Sequence, residues 1–172
     1  RFPSALLGLS GVLLTYCLGR RVFGRREGLY GALVLASSLG YLALGRVNSI
    51  DMTLTFCMTA TLGFFFLASR DAERRKGLFY HLFYVFAALT VLAKGLIGIV
   101  LPGGVVFVYL MFTRRWRLLR EMRLLTGVPL FLAVCAPWFV LVSLKNPEFP
   151  RFFFIHEHFE RFLTKVHKRY EP

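Results

Sequence analysis

The sequence predicts an all-α protein, a polytopic bundle of about six transmembrane helices with an interfacial helix on its outer face. Three observations predict it. Of 172 residues, 56% are hydrophobic, and only 18% are charged, where soluble domains carry about a quarter charged residues. The mean hydropathy is +0.59. Finally, the 22 Lys and Arg, which against 9 Asp and Glu leave a net charge of +13, gather in short runs between long apolar stretches. A nucleic-acid-binding domain spreads such charge over an otherwise polar surface, so this distribution argues against nucleic acid as a partner.

A membrane-spanning helix needs about 17 to 25 mainly apolar residues. That window predicts spans at 2–19, 28–45, 52–69, 77–93, 95–112 and 124–144, with residues 1–144 forming a transmembrane region. The third stretch holds no charge and is apolar all round, as a helix surrounded by lipid or by other helices must be. A chain of 172 residues cannot bury six such helices in a core of its own. The fourth and fifth form one apolar tract interrupted by Lys94-Gly95. At about 1.5 Å per residue the tract is too long for one crossing, which predicts a tight hairpin there. Gly40, Gly63, Gly98, Pro102, Pro129 and Pro137 lie inside spans, where neighbouring helices satisfy freed backbone groups; they predict close packing or kinks. Cys17, Cys57 and Cys135 sit in apolar stretches without CxxC spacing, and are expected to be small core residues.

The first residue is Arg1 and the chain ends just after a charged segment, which suggests a fragment. No basic n-region or small-residue cleavage site is recognisable, so the spans themselves are expected to direct insertion.

The basic residues alternate by side. Arg20, Arg21, Arg25 and Arg26 follow the first span; Arg70, Arg74, Arg75 and Lys76 follow the third; Arg114, Arg115, Arg117, Arg120 and Arg123 follow the fifth. The intervening connections carry Arg46 and Lys94 alone. The positive-inside rule then places the basic connections in the cytoplasm and residues 46–51, 94–95 and 145–172 in the periplasm of a bacterial inner membrane. The basic clusters are read as topology signals lying among anionic headgroups. Trp116 and Arg117 beside Leu118 and Leu119 read as a short interfacial element.

Three features meet on the outer side. Asp51 opens an uncharged helix; it either caps that helix or serves in a site. Lys94 is the only charge in its tract; it either snorkels to the interface or meets a phosphate. In the segment 145–172, Pro147 and Pro150 break the sixth helix, and Phe152, Ile155, Phe159, Phe162 and Val166 then form one apolar stripe, the pattern of an amphipathic helix lying in the interface. Glu157 with Arg161 and Lys165 suit ordinary surface pairs. His156, His158 and His167 raise the question of a metal, but Glu157 and His158 point about 100° apart on a helix and there is no HExxH, so spacing by itself argues against one.

In order along the chain come "RVNSIDM", "VLAKGLIGIVLP", "RRWRLL", "APWFVLV" and "NPEFPRFFFIHEHFERF". Together they resemble the aminoarabinose transferase and protein O-mannosyltransferase superfamily of membrane glycosyltransferases, and most of all its bacterial aminoarabinose-transferase branch. The resemblance covers nearly the whole chain. It implies part of a GT-C-type fold and the transfer, with inversion, of a sugar from a polyprenyl-phosphate donor to a lipid A, glycan or protein acceptor at the periplasmic face. It implies a catalytic position for Asp51, orienting the sugar or a basic side chain. It implies contact with the donor phosphate for Lys94 and Arg161, and more weakly for Arg46. His158 matches a histidine that in this branch helps hold a divalent metal, zinc or magnesium/manganese, with a glutamate from the family's first periplasmic loop. That loop, which carries the family's principal acid, precedes the matching region, so the resemblance implies a piece that is inactive alone. One departure is visible: the family usually follows the Lys-Gly pair with Pro, where this chain has Leu96. The competing class is a multi-pass transporter or flippase, which would more often carry ionisable residues near mid-helix. A membrane structural subunit is a third reading.

Overall fold

The structure, a computed structural model, describes residues 2–46, 50–70 and 75–146. They form eight helices: α1 (Phe2–Val22), α2 (Arg25–Ser37), α3 (Leu39–Arg46), α4 (Ile50–Ala68), α5 (Lys76–Lys94), α6 (Ile97–Thr113), the single turn α7 (Leu118–Glu121) and α8 (Leu124–Lys145). The chain divides into two units, 1–134 and 135–172. In the second, the described part is the end of α8 with Asn146. By length and composition, α1, α4, α5 and α8 are each able to cross a membrane, and the bent pair α2 and α3 makes a fifth candidate. At 17 residues, α6 is shorter. The protein is therefore all-helical with four or five such spans among the described residues, and the count of six is not reached on these grounds.

The second expected span, 28–45, is not one helix. It breaks at Ser38, and α2 and α3 meet at 61°. Ser38 leaves the helix with φ −66° and ψ 120°. The Ser37 hydroxyl donates to the Val34 carbonyl at 3.1 Å, giving the backbone a local alternative to the helical ladder. Adjacent serines are a recurrent cause of such kinks. The bend lays α3 against α1, where the Tyr41 hydroxyl donates to the Gly8 carbonyl at 2.9 Å.

Glycines set the closest helix contacts. A Cβ on Gly19 would stand 2.8 Å from the Gly28 Cα, so α1 and α2 meet backbone to backbone. A Cβ on Gly98 would stand 2.6 Å from the Val91 nitrogen, so α6 folds back onto α5. The reversal is made by Gly95, with φ 75° and ψ −148°, whose N–H donates to the Val91 carbonyl at 2.7 Å. That dihedral pair is close to a region open only to glycine. Leu96, which stands where the resembling family has proline, has φ −58°, within the range a proline ring imposes. The turn thus keeps a proline-compatible shape without the proline.

The core of the first unit lies between α4, α5 and α6 and is largely aromatic. Phe65, Phe79, Tyr80, Phe83, Tyr84 and Leu110 are buried together. The Phe65 ring meets Tyr109 edge-on at 5.6 Å and Phe83 at 5.9 Å. Tyr84 carries its hydroxyl to the Met122 carbonyl, 3.2 Å away, so its polar tip is satisfied. Of the cysteines expected in the core, Cys57 and Cys135 are buried but Cys17 is exposed on α1. The apolar pattern around Cys17 marks a helix in an apolar surrounding, and periodicity does not separate a helix neighbour from lipid.

Candidate functional site

Helix direction sorts the polar groups of the first unit to two ends. At one end stand the C-termini of α1, α4 and α6 and the N-termini of α2 and α5, with their basic residues. Arg70 donates to the Val22 carbonyl at 3.1 Å. The Arg21 guanidinium lies 4.9 Å from the centre of the Phe79 ring. Lys76 pairs with Glu121 at 3.1 Å, which ties α7 to the start of α5. Trp116 is exposed and its ring meets Phe107 edge-on, while Leu118 is buried. At this end Arg70, Arg21 and Lys76 bind helix ends to one another.

At the other end, the start of α4 lies beside the end of α5. Asp51 is in the first turn of α4 and Lys94 in the last turn of α5. Each sign suits its helix end, because a carboxylate is favoured near the positive N-terminus and an ammonium near the negative C-terminus. The Lys94 ammonium donates to Oδ1 of Asp51. Their side chains remain 48% and 44% exposed, so the pair faces outward and is open to a ligand. The helix under Asp51 is firmly seated. Thr55 donates to the Asp51 carbonyl at 2.8 Å, and the next residue, Met52, is fully buried against Gly8 of α1.

This settles where the two residues stand. Asp51 is the second residue of α4, one turn position inside the helix rather than at the cap ahead of Ile50, and its carboxylate is engaged across the helix pair. Lys94 turns to that carboxylate. Arg46, the last residue of α3, is brought to a different place. It lines a cavity of about 310 Å³ walled by α1, the end of α2, α3 and Met52 of α4, the residue after Asp51; Asp51 and Lys94 themselves are not part of the lining. Arg161 and His158 lie outside the described residues, as do Glu157, His156, His167 and the amphipathic helix expected after Pro150. Among the described residues no cluster of three His, Cys, Asp or Glu side chains could hold a metal ion. A metal site here would therefore rest on His158 and on groups beyond them.

The sequence reading missed Tyr41 and Gly45, which frame the Arg46 cavity. The available signal was the Ser37-Ser38 pair followed by Gly40, a break in what the hydropathy window reads as a continuous span.

Comparison with known proteins gives four likenesses. The family model described as dolichyl-phosphate-mannose-protein mannosyltransferase matches residues 1–141. A Pseudomonas paraeruginosa protein named undecaprenyl phosphate-alpha-4-amino-4-deoxy-L-arabinose arabinosyl transferase is 32% identical over 94% of this chain and 30% of its own length. Two crystal structures of ArnT from Cupriavidus metallidurans superpose well. The apo form has a TM-score of 0.88 at 37% identity, covering 94% of this chain and 30% of that one. The form bound to undecaprenyl phosphate has a TM-score of 0.85 at 39% identity, with 93% and 30% covered. The chain thus spans about 30% of the length of these relatives.

Proposed function

Since the chain belongs to the dolichyl-phosphate-mannose-protein mannosyltransferase family, we propose that it is the central part of a membrane glycosyltransferase that moves a sugar from a polyprenyl-phosphate donor to lipid A. The observation that carries this reading is the Lys94–Asp51 pair at one end of a fold shared with ArnT. The undecaprenyl-phosphate-bound form of that relative, at 39% identity, supports the donor class.

In such a transfer the acceptor oxygen attacks the anomeric carbon from the face opposite the donor phosphate. The bond from carbon to phosphate oxygen breaks, and the phosphate leaves with the electron pair. Negative charge therefore grows on the departing lipid phosphate, and a cation fixed beside it lowers the barrier. Lys94 supplies that cation, as a compact ammonium suited to phosphate. Asp51 acts through Lys94, holding the ammonium at the mouth of the helix pair so that little rearrangement is needed when donor binds. Arg161 belongs to the same proposal as a second cation on the phosphate. His158 belongs to it as a metal ligand, and no part of the transfer described here depends on that metal.

The same reading places the Asp51 and Lys94 end in the periplasm of a bacterial inner membrane and the basic end in the cytoplasm, following the positive-inside rule. The charge pattern of the spans favours chemistry at a surface over transport. The Asp and Lys residues of α4 and α5 stand at the helix ends, and α6 has no Asp, Glu, Lys or Arg, whereas transport paths place ionisable groups near mid-helix. The test is lipid-linked sugar consumption by the full-length protein with lipid A and protein acceptors side by side. Consumption with lipid A is expected; none with either acceptor overturns the proposal.

A further inference from the structure

Arg46 lines a cleft whose chemistry differs from that of the Lys94–Asp51 end. Its cavity of about 310 Å³ shares Ala5, Gly45 and Arg46 with an adjoining space of about 500 Å³, together within the range of ligand pockets, about 300 to 1,000 Å³. The cleft exists because α3 swings away at Ser38, and because Ala5 and Gly45 leave room where larger side chains would stand. Its walls are apolar except for Arg46 at the end of α3 and Tyr41, whose hydroxyl is turned onto the Gly8 carbonyl. A polar ligand would lose its hydrogen bonds to water along such walls, while a hydrocarbon chain would lose nothing.

We propose that this cleft takes an acyl chain of the phosphorylated lipid acceptor, with the Arg46 guanidinium on that lipid's phosphate. The inference rests on the transferase reading above. Two arguments select the acceptor over the donor. First, Lys94 is engaged by Asp51 and neither lines the cleft, whose wall at Met52 adjoins Asp51, so Arg46 offers a second cation beside the pair without sharing its partner. The fork of a guanidinium suits two-pronged contact with a phosphate monoester. Second, the donor's phosphate is a diester, whereas a phosphate monoester on the acceptor presents up to three free oxygens to a guanidinium fork.

Gly45 provides a clean probe. A Cβ built there meets nothing within 4 Å and Gly45 lines both spaces, so Gly45→Leu sets a branched side chain on the wall of the cleft, and Gly45→Ala is its mild counterpart. Full-length protein in detergent is titrated separately with lipid A, undecaprenyl phosphate and phosphatidylglycerol, without sugar donor, and bound lipid is read by native mass spectrometry. Gly45→Leu and Arg46→Gln are each expected to weaken lipid A binding by about tenfold, the scale of one displaced chain segment or one lost charge-assisted contact. Gly45→Ala stays near wild type, undecaprenyl phosphate binding stays unchanged, and the melting temperature of Gly45→Leu stays at the wild-type value. In turnover, Gly45→Leu raises KM for lipid A and not for the donor. Unchanged lipid A binding overturns the proposal. So does a loss confined to undecaprenyl phosphate, which would make the cleft the donor's, or an equal loss for phosphatidylglycerol, which would make it a general lipid contact. The two readings fail separately: lipid A held in the cleft of a wild-type protein that transfers no sugar defeats the transferase reading, and undiminished lipid A use by Gly45→Leu defeats the cleft.

Discussion

Lys94 and Asp51, 43 residues apart in sequence, form an ion pair across the open end of α4 and α5 with both side chains about half exposed. Exposed pairs contribute only about 0.2–1 kcal/mol to stability. Asp51→Ala and Lys94→Ala in the full-length protein are therefore expected to shift the melting temperature little while lowering transfer by about a hundredfold, the scale of losing one preorganised charge. Melting curves measured beside turnover check this. If the pair acts as a unit, the double variant is no worse than Lys94→Ala alone; losses that multiply would show two independent roles.

Tyr41→Phe removes the hydroxyl that α3 places on the Gly8 carbonyl. A cost of about 0.5–1.5 kcal/mol is expected, read as a lower denaturation midpoint in detergent. The Arg46 cleft should suffer with it, so lipid A binding falls in Tyr41→Phe while undecaprenyl phosphate binding does not.

Gly28 and Gly98 sit where backbone meets backbone. A Cβ at Gly28 would come within 2.8 Å of the Tyr16 carbonyl oxygen, and one at Gly98 within 2.6 Å of the Val91 nitrogen. Neither neighbour is a flexible side-chain tip, so Gly28→Leu and Gly98→Leu are expected to destabilise by about 1–3 kcal/mol or more. Gly104→Ala, with nothing within 4 Å of the added atom, is the control expected to fold normally. Size-exclusion profiles and melting temperatures of the three variants separate these outcomes.

Sidedness is open to thiol labelling. In a full-length protein stripped of all native cysteines, Cys17, Cys57 and Cys135 among them, an Ile50→Cys variant should react with a membrane-impermeant maleimide in cells whose outer membrane alone is permeabilised. Arg117→Cys should react only once the inner membrane is opened. The reverse pattern would invert the assignment made from the basic connections.

Helix existence was legible because hydropathy reports on each segment separately. Stretches such as 52–69 and 77–93 contain enough apolar residues to require burial or lipid whatever lies next to them. The break at Ser38 was not legible, since an apolar window averages over a pair of serines that matters only through its local hydrogen bonds. Asp51 and Lys94 could each be singled out as isolated charges, but their meeting depends on α4 and α5 packing antiparallel, a relation that neither helix encodes in its own periodicity. Arg46 was grouped with them because it shares their side of the membrane in the charge pattern; the bend turns it to a cleft that Asp51 and Lys94 do not line. Arg161 and His158 stand on the resemblance alone, being outside the described residues.

The left-handed turn at Gly95 has a consequence for recognising distant relatives. Leu96 holds a φ of −58° without a ring to enforce it, while Gly95 occupies a dihedral that a side chain would resist. The geometric constraint thus resides in the glycine, and the following position can drift. A search pattern written around Lys-Gly-Pro would pass over chains of this kind; one that keeps Lys-Gly and leaves the third position open would retain them.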